Sequence, residues 1–67
     1  MQTDVAVRDH GTIVQFQPLT PKAKTWFADN VEAEPWQWRG RTLCVDHRPA
    51  QWLLDGLFAT DLVVSAA

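Results

Sequence analysis

Val5–Phe16, VAVRDHGTIVQF, places two short runs rich in β-branched residues on either side of His10-Gly11. A glycine between two such runs supplies the positive φ of a tight hairpin turn, so the segment is expected to fold as a β-hairpin with His10-Gly11 at its tip. If Asp9 faces Thr12, then Val7 faces Val14 and Val5 faces Phe16. Four apolar side chains then share one face, and Ala6, Arg8, Ile13 and Gln15 take the other. One face is thus marked for a core and the other for water.

Pro18 has no N–H to give to a ladder and ends the second strand. Thr20-Pro21 then has the form of a helix N-cap followed by proline at the first helical position, which predicts a helix from Pro21 to about Asn30. Ala23, Trp26, Phe27 and Val31 recur near helical spacing and form its buried stripe. Glu32-Ala-Glu-Pro35 is a polar connector. Beyond Gly40, Thr42–Val45 is expected to be a strand with Leu43 and Val45 on one face. Trp36-Gln-Trp38 is either its hairpin partner or an irregular loop. As a partner, with Arg39-Gly40 as the turn, Trp36 would face Leu43 and Trp38 would face Arg41 in a cation–π pair. One of these two tryptophans is expected to be buried.

Pro49 marks the first turn of a second helix running to about Ala59. Its apolar stripe is Ala50, Leu53, Leu54, Leu57 and Phe58, and Trp52 falls nearly opposite, beside Asp55 and Ala59. Asp61–Ser65 is a β-branched run suited to a last strand. The expected fold is a single α+β domain over residues 1–67, in the order ββαβαβ. Right-handed crossovers would lay both helices on one face of a small, mixed, four-stranded sheet.

At 67 residues the chain has little margin in its core, and its single cysteine, Cys44, cannot form an internal disulfide. Two histidines and one thiol have no zinc spacing, so no metal and no cofactor is expected and stability must come from apolar packing. Trp26, Trp36, Trp38 and Trp52 are the largest contributors available. The 46% hydrophobic content and net charge of −2 fit a folded domain, and eight acidic against six basic residues argue against direct nucleic-acid binding. The N-terminus has no signal-peptide pattern and no run of residues is long enough to span a bilayer, so a cytoplasmic protein without membrane contact is expected.

Catalysis has little to build on. His10 and His47 each follow an aspartate, but neighbouring strand side chains point to opposite faces, and there is no nucleophile motif or phosphate loop. His10 is expected in a turn, His47 in a loop, and Cys44 as a small buried hydrophobe. The protein is expected not to be an enzyme. Surface chemistry is more informative: Asp29, Glu32 and Glu34 cluster at the end of the first helix and in the connector after it. They form either a solvated face or a patch for a basic partner. Trp52 is the better interface candidate among the tryptophans, with Trp38 second and Asp55 beside Trp52.

The segments DHGTIVQFQPLTPKAKTWFADNV, WRGRTLCV and DGLFATDLVV, with an arginine before the second helix, resemble short proteins of proteobacterial prophages and other mobile elements. The resemblance covers most of the chain, but its motifs are structural: Gly11 and Gly40 for turns, Trp26 for core. Such elements encode anti-CRISPR proteins, and this chain is similar in size and character to inhibitors of type I-C systems. The resemblance implies a cytoplasmic protein inhibitor, monomeric or homodimeric, that binds a type I surveillance complex and blocks DNA access through an acidic surface. With a net charge of −2, any DNA mimicry is confined to a local patch. The alternative is a small regulatory or structural module of a prophage, homodimeric through the open sheet face or an edge strand.

Overall fold

The computed structural model describes residues 2–66. Its elements are β1 (Val5–His10), β2 (Ile13–Pro18), α1 (Pro21–Asn30), a 3-10 turn (Pro35–Gln37), β3 (Trp38–Arg39), β4 (Thr42–Asp46), α2 (His47–Phe58) and β5 (Val64–Ala66). The fold is α+β with two helices, as expected, but the sheet has five strands rather than four, ordered β3-β4-β2-β1-β5. The added strand is β3, two residues long. It brings the strand order to ββαββαβ and makes Trp38–Arg39 the hairpin partner of β4.

Both hairpins are displaced from the expected pairing by the same amount. In the first, His10 pairs with Ile13 and Val7 with Phe16, so the turn is Gly11-Thr12. In the second, Trp38 pairs with Leu43 and Arg39 with Thr42, so the turn is Gly40-Arg41. In each, glycine takes the first central position with positive φ, 80° at Gly11 and 63° at Gly40, and no other described residue has positive φ. This is the arrangement of a type II′ turn, whose twist matches the flanking strands. The Asp9 side chain supports the first turn, its Oδ1 accepting the Gly11 N–H at 2.8 Å. His10 therefore ends a strand rather than forming the turn. The expected Trp38–Arg41 facing pair is not formed, because Arg41 lies in the turn itself.

The displacement is two positions, so every side chain keeps its predicted face. Val5, Val14, Phe16, Leu43 and Val45 are buried together, with Val7, Trp38 and Val64 packed against them. Ala23 and Phe27 from α1 and Ala50 and Leu57 from α2 join the same core. Phe27 meets Phe16 and Trp38 with ring centroids 6.3 Å away in each case, and Trp26 edge-on at 5.4 Å.

Strand directions explain why one face receives both helices. β1 runs antiparallel to β2 and β2 antiparallel to β4, while β1 and β5 are parallel. The β2-α1-β3 and β4-α2-β5 crossovers therefore join parallel strands and step in opposite lateral directions from strands of opposite sense. Crossovers of one hand then place their helices on the same side of the sheet. The opposite face carries Arg8, Gln15, Gln17, Arg39, Thr42 and Cys44, and it is polar.

Other departures are local. α2 starts at His47, two residues before Pro49, so His47 is helical rather than in a loop. Phe58, expected in the stripe of α2, is 69% exposed because the helix ends there and turns away through Ala59 and Thr60. The last strand begins at Val64 rather than Asp61, since Asp61 and Val63 are engaged in a latch instead.

That latch joins three elements. Asp4 Oδ2 accepts the Val63 N–H at 2.8 Å, and its Oδ1 accepts the Thr20 hydroxyl proton at 2.7 Å. Thr20, only 7% exposed, in turn caps α1 by accepting the Ala23 N–H at 3.2 Å. The Leu19 N–H donates to the Asp4 carbonyl at 2.7 Å, and the Thr3 and Ser65 hydroxyls meet at 2.9 Å. Lys22 and Asp61 close the group with a 2.7 Å ion pair between exposed side chains. The hydrogen bonds from Val63 and then Thr20 hold the Asp4 carboxyl below its ordinary value of 3.8, and Lys22 holds Asp61 below the same value.

Thr20→Ala is expected to lower stability by about 1 kcal/mol, the usual cost of a lost N-cap, measured by urea denaturation. Because the folded Asp4 carboxyl titrates below its unfolded counterpart, its contribution is complete above the ordinary value and is lost as pH falls through the lower folded one. Urea midpoints are therefore expected to hold level from neutral pH to about pH 4 and then fall, with a shallower fall in Asp4→Ala.

Candidate functional site

The two helices touch where Trp26 of α1 lies against Gly56 of α2. A Cβ built on Gly56 would stand 3.3 Å from Trp26 Cζ2, a tight approach that would push the indole back by a few tenths of an ångström. Past this contact the helices part and leave an open cleft of about 500 Å³. Trp26, Val45 and Leu53 give it an apolar lining, Glu32 is its one charged lining residue, and Trp52 stands on its α2 side.

Trp52 is 79% exposed, as its position opposite the stripe of α2 predicts. It also borders a second, shallow hollow with Pro49, Arg48 and His47. The ring is thus a ridge between a hollow whose one charged lining residue is a carboxylate and one lined by Arg48 and His47 together with the Asp46 carboxylate. Asp55, exposed, follows one helical turn later on the same face.

The structure brings Glu32 and Trp52 to one cleft and leaves the other candidates around it. Asp29 is exposed on the last turn of α1, and Glu34, also exposed, precedes the 3-10 turn, where its N–H donates to Gln37 Oε1 at 2.8 Å. Trp38 is half-buried against Phe27 and lines a different hollow. Trp36, carried on the 3-10 turn, is 76% exposed. The sequence leaves Trp36 open between a hairpin strand and an irregular loop; a proline-initiated turn before β3 is what sends it outward.

Several charges on the two helices run against the backbone dipole. Lys22 and Lys24 sit near the positive end of α1 and Asp29 near its negative end; on α2 Arg48 and Asp55 are placed the same way, while the N-cap Asp46 lies at the favourable end. Each adverse charge costs about 0.3 to 1 kcal/mol where it is not screened. Among the described residues the only ion pair is Lys22–Asp61, so Asp29, Glu32, Glu34 and Asp55 gain no compensating partner within the chain. Charges kept at a cost to helix stability are the kind that a surface retains for contact with something else.

Cys44 and His47 lie on opposite sides of the sheet. Cys44 is half-buried and pairs across from Gln15 on the open sheet face, rather than in the core as expected. His47 borders hollows on the helical side. Among the described residues no three His, Cys, Asp or Glu side chains are grouped to hold a metal ion, and no helix is long and apolar enough to cross a membrane. The chain matches no family model, no curated protein and no solved structure.

Trp52→Ala is expected to leave stability within about 0.5 kcal/mol, since the ring is mostly in water. Trp26→Ala should cost roughly 3 kcal/mol, because it removes the ring that joins the two helices. Paired urea melts of the two variants check the assignment of one ring to the surface and the other to the core.

Proposed function

We propose that the protein is a non-enzymatic inhibitor that docks onto a basic surface of a partner protein through the cleft between α1 and α2. Trp52 supplies the apolar anchor, and Glu32, Asp29, Glu34 and Asp55 supply the surrounding charge. The observation that carries this reading is the exposed Trp52 ring beside a cleft whose only charged lining residue is a carboxylate. An exposed indole at a ready-made hollow is the usual form of a binding hot spot, and carboxylates around it steer and orient a basic partner.

The resemblance to mobile-element proteins points this docking at a nucleic-acid-handling complex. The partner we propose is a type I CRISPR surveillance complex, with the acidic rim occupying part of the path of the DNA. A homodimeric regulatory module is the second reading. It draws support from Phe58, which like Trp52 is a large apolar side chain left exposed on α2. The sheet offers such a dimer less, because its free face is polar and its outer strands are two and three residues long.

Purified type I surveillance complexes are expected to bind the protein and to release it in competition with target DNA. Trp52→Ala should weaken binding about 30-fold, the effect of losing a hot spot. Asp29→Lys should weaken it too, while raising the stability of the free protein by about 0.5 kcal/mol through the helix dipole. Absence of binding to every such complex, or a stable dimer in light scattering that hides the Trp52 ring, would overturn the inhibitor reading.

A further inference from the structure

A second hollow lies on the other side of α1, between that helix and the β3–β4 hairpin. Phe27, Val31, Ala33 and Trp38 give it an apolar interior, and its only charged lining residues are Lys24 and Arg41. Its volume, about 470 Å³, lies in the range of small-molecule sites. The neighbouring cleft under Trp52 shares Val31 and Ala33 with it but carries Glu32 and no cation. One short segment of chain therefore separates two hollows of opposite charge.

Lys24 and Arg41 are both exposed, and neither belongs to the one ion pair among the described residues. They come from different elements, the first from α1 and the second from the glycine turn before β4. The displaced turn is what brings Arg41 there, since the expected pairing would have placed it within the strand facing Trp38. Two cations without carboxylate partners at an apolar, aromatic hollow complement a molecule with an apolar body and an anionic head. A guanidinium and an ammonium lining one hollow suit a carboxylate, which the first can grip through two hydrogen bonds and the second through its point charge.

We infer that this hollow is a binding site for a small amphipathic carboxylate, its acyl chain or ring against Phe27 and Trp38 and its carboxylate held between Lys24 and Arg41. The site shares only Val31 and Ala33 with the Trp52 cleft and none of the residues of the inhibitor reading's Trp52 and carboxylate set, so it stands or falls independently of that reading.

Octanoate and 1-octanol, titrated into isotopically labelled protein and followed by NMR, test the assignment. Octanoate is expected to give saturable shifts at Phe27, Val31, Ala33 and the Trp38 indole N–H, and to bind about tenfold more tightly than octanol, as two exposed charge contacts allow. The Lys24→Gln/Arg41→Gln double variant should bring octanoate to the affinity of octanol and leave octanol binding unchanged. Both substitutions lie on the surface, and an unchanged spectrum elsewhere verifies that the fold is intact. Equal affinity for the two ligands, shifts confined to other residues, or an octanoate affinity untouched by the double variant would each overturn the inference.

Discussion

Phe27 is the side chain on which the arrangement turns. Its ring reaches Phe16 in the middle of the sheet, Trp38 at one edge and Trp26 on its own helix, and it is almost wholly buried. In a domain this small, no second layer of packing can set the position of α1. The aromatic contacts around Phe27 seat the helix on the sheet, and seating it there directs Trp26 at Gly56 and so fixes where α2 can lie. The two hollows follow from the same contact. α1 is held close to the sheet at Phe27 and close to α2 at Trp26, and beyond each of these contacts the surfaces diverge.

The faces of the sheet were legible in the sequence, and the register was not. Alternation in Val5–Phe16 states which side chains share a face, but a slip of two residues leaves every one of those assignments intact. Only the turn distinguishes the two registers, and it did so through one property of glycine, its place as first rather than second central residue. The same cause acted in both hairpins, which is why Trp38 kept its inward face while losing Arg41 as its neighbour. Caps were clearer: Thr20-Pro21 started α1 where the side-chain oxygen could reach the Ala23 N–H. Phe58 was misplaced because helical spacing continues its stripe past the point where the backbone has already turned.

The candidate site was half legible. Helical geometry alone put Trp52 outside, since one turn after another of α2 must present Leu53, Leu54 and Leu57 to the sheet. The cleft beside it was not readable, because it depends on Gly56 meeting the indole of Trp26 from thirty positions earlier, a tertiary contact with no local signature. The cationic hollow was hidden for a related reason. Lys24 and Arg41 look like ordinary solvated charges until a helix and a turn bring them to one opening. Charge against the helix dipole took its meaning from the structure, where among the described residues Lys22–Asp61 is the only ion pair.

The Asp4 latch has a kinetic side. Its bond to Val63 joins positions 59 apart in sequence, and the neighbouring Thr3–Ser65 contact spans 62. Loop-closure entropy opposes such contacts until the chain between them is already compact, so β5 can add to β1 only after α2 has crossed the sheet. The outermost parallel strand is therefore a late clasp that completes the sheet. The aromatic centre that carries both hollows can thus assemble before that margin closes.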